Sequence, residues 1–319
     1  MSELDHIALQ TLNLKIGYKK DDQVRVLFEP LSLTLTKGEL VCFMGSNGIG
    51  KTTLIKTLAG IHPPISGSIT RNFPAAIVLT DKVSGNLMTV RDLVTYGRYP
   101  YLNWWLTLTD QDHHLIETAI KKVHLESIAN KHLSQLSDGQ LQMAMIAKAL
   151  AQDTNILLLD EPTAHLDLNN RVEIMNLLRS LARETGKTIL VATHELDLAL
   201  QTADKIWLAT QHKKIVEGIP EDLVLDGTFD NEFQLKGFDL KTGKVKHTPY
   251  RKTLIQLEGS GPEFLWTKNA LERNGYEVGP SKTQVTVTFK EGYPEYILSL
   301  SGAEVKFESL KDLLIRLKA

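Results

Sequence analysis

Gly45-Ser46-Asn47-Gly48-Ile49-Gly50-Lys51-Thr52 is the stretch on which the reading of this chain turns. It fits the spacing G-x-x-x-x-G-K-[ST], and it stands between the apolar run Leu40-Val41-Cys42-Phe43-Met44 and a helical stretch from Thr52 to Ala59. In a strand-loop-helix unit of this kind, glycines let the backbone curl so that successive N–H groups and the helix N-terminus face phosphate oxygens. Lys51 then reaches the terminal phosphates and Thr52 faces a divalent cation. The competing reading is a glycine-rich turn with a chance lysine, and the flanking strand and helix argue against it.

Working outward, short alternating runs at Ile7 to Leu14 and Leu31 to Leu35, separated by the polar turn Lys19 to Gln23, predict antiparallel strands. Beyond the loop, residues 88–135 read as mostly helical, with an aromatic interruption from Tyr96 to Trp105. A helix over 139–151, a strand over 156–160, a helix over 169–184, a strand over 188–192, a helix over 195–202 and a strand over 205–209 complete an alternating series. That alternation predicts an α/β fold with a mainly parallel sheet covered on both faces.

From about residue 222 the pattern changes. Residues 223–250 read as a linker with a hairpin turn at Lys241-Thr242-Gly243-Lys244, and 251–319 as a small α+β unit. Its pieces are a strand at 253–258, a helix at 262–274, a strand with Val285, Val287 and Phe289 on one face, and a last helix. In that helix Ser309 and Asp312 have capping-box spacing ahead of the stripe Leu310, Leu313, Leu314 and Leu317. A length of 319 residues agrees with about two domains.

Composition excludes several classes. The net charge of -2 provides no field to attract nucleic acid, so no nucleic-acid partner is expected. Cys42, the single cysteine, sits in an apolar run and reads as a buried small hydrophobe. His113-His114 lack metal-ligand spacing and read as solvated. No segment approaches the ~18 apolar residues of a membrane span, so a cytoplasmic chain meeting the inner face of the membrane through a partner is expected.

Two further segments carry chemistry. Ile156-Leu157-Leu158-Leu159-Asp160-Glu161 is an apolar strand ending in two carboxylates at the carboxyl edge of the sheet. Asp160 suits a Mg²⁺ site, and Glu161 suits polarisation of an attacking water. Leu136-Ser137-Asp138-Gly139-Gln140 opens a helix with Ser137 as its cap and Gly139 permitting close backbone approach, although a plain helix cap explains these residues as well locally.

Together these segments resemble the ABC ATPase family, whose signature L-S-x-G-Q is matched by Leu136 to Gln140, and the resemblance covers about residues 5–220. It implies a P-loop NTPase domain at residues 1–222, with an antiparallel β subdomain and a helical subdomain, binding ATP and Mg²⁺. It further implies a homodimer whose two nucleotide sites are shared between subunits, so that Ser137, Gly139 and Gln140 of one copy meet ATP on the other. By the same resemblance Tyr18 stacks on adenine, and Gly45 to Thr53 hold the phosphates, Thr53 included. Asp167 of Ala164-His165-Leu166-Asp167 crosses the dimer interface, and His194, matching the family's switch histidine, contacts the γ-phosphate and orients the water beside the catalytic Glu161.

Several positions depart from the family pattern. Where the family has Gln after the strand Ala75 to Leu79, this chain has Thr80-Asp81, so either Thr80 holds a water or Asp81 joins Thr52 and Asp160 at the metal. Asp138 replaces a common Gly, and Leu141 and Met143 stand where Arg is frequent, while Lys148 retains some positive charge nearby. Thr89 to Pro100 is similar to the segment found in importers for iron-siderophore complexes, haem and cobalamin. That likeness implies separate permease subunits and, indirectly, a substrate-binding protein. Tyr99, Tyr101, Trp104 and Trp105 either line the permease groove or pack the helical subdomain. A soluble ABC ATPase without a membrane partner and a regulatory ATP-binding module with weak turnover are the alternatives. The extension at 251–319 reads as regulatory or dimerising.

Overall fold

The computed structural model describes residues 6–20, 23–80, 87–233, 238–240, 244–245, 249–251, 253–290, 293–300 and 303–318. The chain forms two compact units, Met1–Gln234 and Leu235–Ala319. The first extends past the boundary expected at 222, because the short helices Pro220–Leu225 and Thr228–Phe233 belong to it and fully bury Phe229.

A six-stranded sheet forms the heart of the first unit, in the spatial order Ile215–Gly218, Lys205–Ala209, Leu40–Met44, Thr188–Thr193, Ile156–Asp160, Ala75–Val78. Every pairing is parallel except that of the edge strand Ile215–Gly218 with Lys205–Ala209. Leu40–Met44, Ile156–Asp160 and Thr188–Thr193 are buried along their whole length, which is why they read as continuous apolar runs. Cys42 lies among them, and burial, reinforced by Asp204, pushes its thiol up to about 12. It is an inert core residue.

The antiparallel part consists of the sheet Thr34–Thr36, Ile7–Lys15, Ser66–Arg71 and the hairpin Gly17–Lys20 with Gln23–Val26. The helical part holds Val90–Thr95, the 3₁₀ turn Tyr96–Tyr101, Asp110–Lys122 and Asp138–Leu150. In it Tyr99, Tyr101, Trp104 and Trp105 are 44%, 49%, 91% and 80% exposed, so they do not form the subdomain core.

The second unit is a five-stranded sheet in the order Glu277–Val278, Leu254–Glu258, Gln284–Lys290, Tyr293–Leu300, Ala303–Phe307, with helices Gly261–Arg273 and Leu310–Lys318. Ile255, Val285, Val287, Leu298 and Leu313 build its core, and Leu310, Leu314 and Leu317 pack onto it. The Phe289 side chain and the turn residues 241–243 lie outside the described residues, although Phe238–Asp239 does pair with Lys244–Val245.

Candidate functional site

Sheet register assembles the site. Met44 pairs with Thr193, and Asp160 with Ala192, so the residues that follow these strands emerge together at one carboxyl edge. Gly45 begins the phosphate loop there, Glu161 follows Asp160, and His194 follows Thr193. The loop closes on Gly50 at φ 117°, where a Cβ would stand 2.9 Å from Leu27 Cδ1, so only glycine fits before the helix Lys51–Leu58. Ser46, Asn47 and Gly48 are exposed and Ile49 is half-buried, leaving the first-turn N–H groups of the helix directed at this rim.

Lys51, 7% exposed, donates to Gly45 O at 3.0 Å and lies 3.2 Å from Glu161 Oε1. The second Glu161 oxygen is 2.6 Å from His194 Nδ1. Glu161 itself stands at φ 49°, in the left-handed region that costs an L-residue about 1–2 kcal/mol. Its N–H bond to Ala192 O at 2.8 Å and the Ala164 N–H bond to its carbonyl at 3.1 Å hold it there. The backbone is bent so that the carboxylate faces the lysine and the histidine.

Asp160 is buried, and burial raises its carboxyl above the ordinary range, opposed by the Thr52 hydrogen bond and reinforced by the charge of Glu161. Thr52 Oγ1 donates to Asp160 Oδ2 at 2.7 Å. Among the described residues Asp160 Oδ1 is buried without a hydrogen-bond partner. A buried, unshared carboxylate oxygen beside a threonine hydroxyl is a donor set that fits a hard divalent cation. Thr80 Oγ1 donates to Asp160 O at 3.1 Å, so the threonine found in place of the family's Gln braces the metal-side aspartate. Asp81 lies outside the described residues.

Tyr18 is half exposed, its hydroxyl 2.6 Å from Thr53 Oγ1, with its ring centroid 5.5 Å from that of His62. His62 was not singled out by sequence; its Nε2 bonds Gly17 O at 2.8 Å and steadies the strand that carries Tyr18. Ser137 caps the helix Asp138–Leu150 by accepting from Gln140 N–H at 3.2 Å, and Gln140 Oε1 accepts the Ser137 N–H in return. Asp167 caps the helix Leu168–Thr185. Among the described residues no hydrogen bond or ion pair joins Ser137, Gly139, Gln140 or Asp167 to the phosphate loop, Asp160, Glu161 or His194.

Sequence reading missed Arg171 and Glu195. Arg171 Nη1 bonds both Glu195 oxygens, at 2.8 and 2.7 Å, and Glu195 directly follows His194. The only signal available was a basic residue early in one helix and an acidic residue after a strand, 24 positions apart, a spacing that encodes no pairing.

Comparison with known proteins agrees with this geometry. Residues 28–164 match the ABC transporter family model, and residues 251–318 match the iron ABC transporter C-terminal domain. An uncharacterized ABC transporter ATP-binding protein of Methanocaldococcus jannaschii is 36% identical over 292 residues, covering 85% of this chain and 98% of that protein. The petrobactin import ATP-binding protein FpuD of Bacillus anthracis is 35% identical, over 72% of this chain and 87% of its own. A solved dimeric bacterial ABC transporter cassette, 25% identical, superposes with a TM-score of 0.57 over 66% of this chain and 98% of its own. With a phosphate loop, a carboxylate pair and a histidine gathered at one sheet edge, and with these relatives matched over most of their length, the chain belongs to the ATP-binding proteins of ABC transporters, the ATPases that drive transport.

Proposed function

We propose that this ATPase works as a homodimer with two shared sites and powers import of an iron-siderophore complex through a separate permease. One observation carries the shared site. Lys51, Thr52, Asp160, Glu161 and His194 converge, while among the described residues no hydrogen bond or ion pair joins Ser137, Gly139, Gln140 or Asp167 to them, which leaves these groups to serve the nucleotide of a second copy. The dimeric cassette among the solved relatives supports the same arrangement. The cargo class follows from the match of residues 251–318 to the iron transporter C-terminal domain and from the petrobactin import relative.

In this reading Tyr18 stacks on the adenine and the loop from Gly45 to Thr53 wraps the phosphates. Thr52 and Asp160 hold Mg²⁺, which when bound neutralises phosphate charge. Lys51 turns from Glu161 to the terminal phosphates, which frees the Glu161 carboxylate to take a proton from water. His194, already bonded to Glu161, orients that carboxylate. Exposed Tyr99, Tyr101, Trp104 and Trp105 supply an apolar surface for a cytoplasmic helix of the permease. No helix among the described residues is long and apolar enough to cross a membrane, so attachment to the inner face runs through that permease, which a substrate-binding protein supplies.

Glu161→Gln is expected to lower turnover by roughly 10²-fold or more and to trap an ATP-bound dimer, read by phosphate release and by size-exclusion chromatography. Mixing Lys51→Ala with Ser137→Ala chains should restore part of the lost turnover, because one dimer site is then intact. Parental turnover in Glu161→Gln, or a monomer at saturating ATP in that variant, would overturn the reading.

A further inference from the structure

Two consecutive residues after the Asp167 cap reach in different directions. Asn170 turns toward the signature helix: a Cβ on Gly139 would lie 2.6 Å from both Asn170 Cγ and Oδ1, so the backbone of Gly139 rests against this carboxamide. Asp167 fixes the same side chain, its Oδ1 accepting Asn170 N–H at 2.9 Å and its Oδ2 accepting Asn170 Nδ2 at 3.0 Å. Arg171 turns toward the switch loop, where Nη1 holds Glu195 through both carboxylate oxygens. Glu195 is further tied by its N–H to Thr193 Oγ1 at 3.0 Å, and its Oε1 stands 4.0 Å from His194 Nε2. His194 Nδ1 therefore meets Glu161 at 2.6 Å, while the Glu195 carboxylate, held by Arg171, lies 4.0 Å from Nε2, beside the ring but beyond hydrogen-bond reach.

We propose that Asn170 and Arg171 are positioning residues that join the signature glycine to the switch histidine through one helical turn. This rests on the shared-site reading above, under which Gly139 serves the partner's ATP and His194 serves its own. A shift of Gly139 on meeting the partner's nucleotide presses on the Asn170 carboxamide, which occupies the place a Gly139 Cβ would take, and Asp167, bonded to Asn170 N–H and Nδ2 and through its carbonyl to Arg171 N–H at 3.0 Å, makes both residues move with the cap. Arg171 then carries the displacement to Glu195 and so to the ring that orients Glu161. Neither residue bonds the phosphate loop, so ATP binding to the single chain is left unaffected by their removal.

The test uses the full chain, with ATP turnover followed at protein concentrations where the rate per chain no longer changes. Arg171→Met is expected to lower kcat on the order of tenfold while KM for ATP stays within about twofold, since misplacing a catalytic group acts on the reacting complex. Arg171→Lys, which keeps a cation for Glu195, should recover most of that loss. Asn170→Ala touches neither Glu195 nor His194 and is nonetheless expected to lower kcat about threefold. Parental kcat in Arg171→Met or in Asn170→Ala overturns the proposal. So does a loss in Arg171→Met that Lys fails to recover and that comes with a lowered thermal midpoint, the signature of mere destabilisation. Glu161→Gln measured alongside separates the two levels: parental turnover there fells the site reading and this proposal together, whereas a dead Glu161→Gln with an unaffected Arg171→Met fells this proposal alone.

Discussion

At the scale of single residues, the arrangement around Asp160 exchanges stability for metal affinity. One carboxylate oxygen takes the Thr52 hydroxyl and the other is buried without a partner among the described residues, so ionisation in the nucleotide-free protein is unfavourable. Burial raises the folded-state pKa above its unfolded value. A raised carboxyl contributes its stability fully below the unfolded pKa and loses it as pH rises through the folded one. Asp160→Asn should therefore raise the thermal midpoint of the nucleotide-free protein at pH 7 by roughly 2–4 °C, the shift that about 1 kcal/mol makes in a unit of this size, with the gain vanishing near pH 4. The same variant should lose at least about tenfold in Mg²⁺-dependent turnover. Calorimetry and phosphate release check the two halves, and an unchanged or lower midpoint at pH 7 would contradict the argument. Lys51 and Thr52 belong to the loop motif, Asp160 ends a buried strand and Glu161 follows it, so these positions stood out in the sequence, whereas His194 was singled out only through the family resemblance. Thr80 was readable only as a departure; its bond to the Asp160 carbonyl depends on strand order, which spacing does not encode.

At the scale of elements, the helical subdomain is fastened at Arg98. Its guanidinium is buried, donating from Nε to Asp112 at 2.8 Å and from Nη1 to the Ala151 carbonyl at 2.9 Å, with the Tyr101 ring 4.5 Å away. Gly97 precedes it and lies so close to the signature helix that a Cβ would stand 2.2 Å from Lys148 O. Three elements thus converge on one side chain: the aromatic segment, the helix Asp110–Lys122 and the end of the helix Asp138–Leu150. Arg98→Met leaves Asp112 buried without its cation and should cost about 3–5 kcal/mol, measured by denaturant unfolding. The Thr109 side-chain and backbone hydrogen bonds, then Arg98, hold the Asp112 carboxyl down at about 2. Because a depressed carboxyl gives stability above its unfolded pKa and loses it as pH falls through the folded one, the parent should lose this contribution between about pH 4 and pH 2. Asp112→Asn should show a flatter thermal midpoint over that window; parallel curves would show that the pair carries no pH dependence. The strands around the phosphate loop were legible because full burial makes them uniformly apolar. Tyr293–Leu300 and Ala303–Phe307 were not assigned from sequence, and the second, exposed along nearly its whole length, has almost no buried face for a pattern to register.

At the scale of the whole molecule, every residue assigned to phosphate, metal or base lies in the unit Met1–Gln234, and the second unit has a separate core. Composition placed the change near residue 222 because the glycine-rich and polar character begins there. Burial places it later: Leu223 and Phe229 are 3% and 0% exposed, the Phe229 and Phe233 rings stack 5.9 Å apart, and Glu232 Oε2 accepts the Gln211 N–H at 2.9 Å beside the edge strand. Polar linkage and apolar anchoring coexist in one short stretch, and composition registers the first while packing depends on the second. A chain ending at Gln234 should accordingly keep its cooperative unfolding and its ATP affinity within about twofold of the full chain. A chain ending at residue 222 removes Phe229 from its site and exposes the surface it covered, a loss comparable with truncating a buried aromatic, about 3–5 kcal/mol. Its thermal midpoint should fall by more than about 5 °C relative to the longer fragment while the phosphate loop still binds ATP at low temperature. Equal midpoints for the two fragments would show that the paired short helices add nothing to the first core, and loss of ATP binding in the Gln234 fragment would show that the second unit helps complete the site.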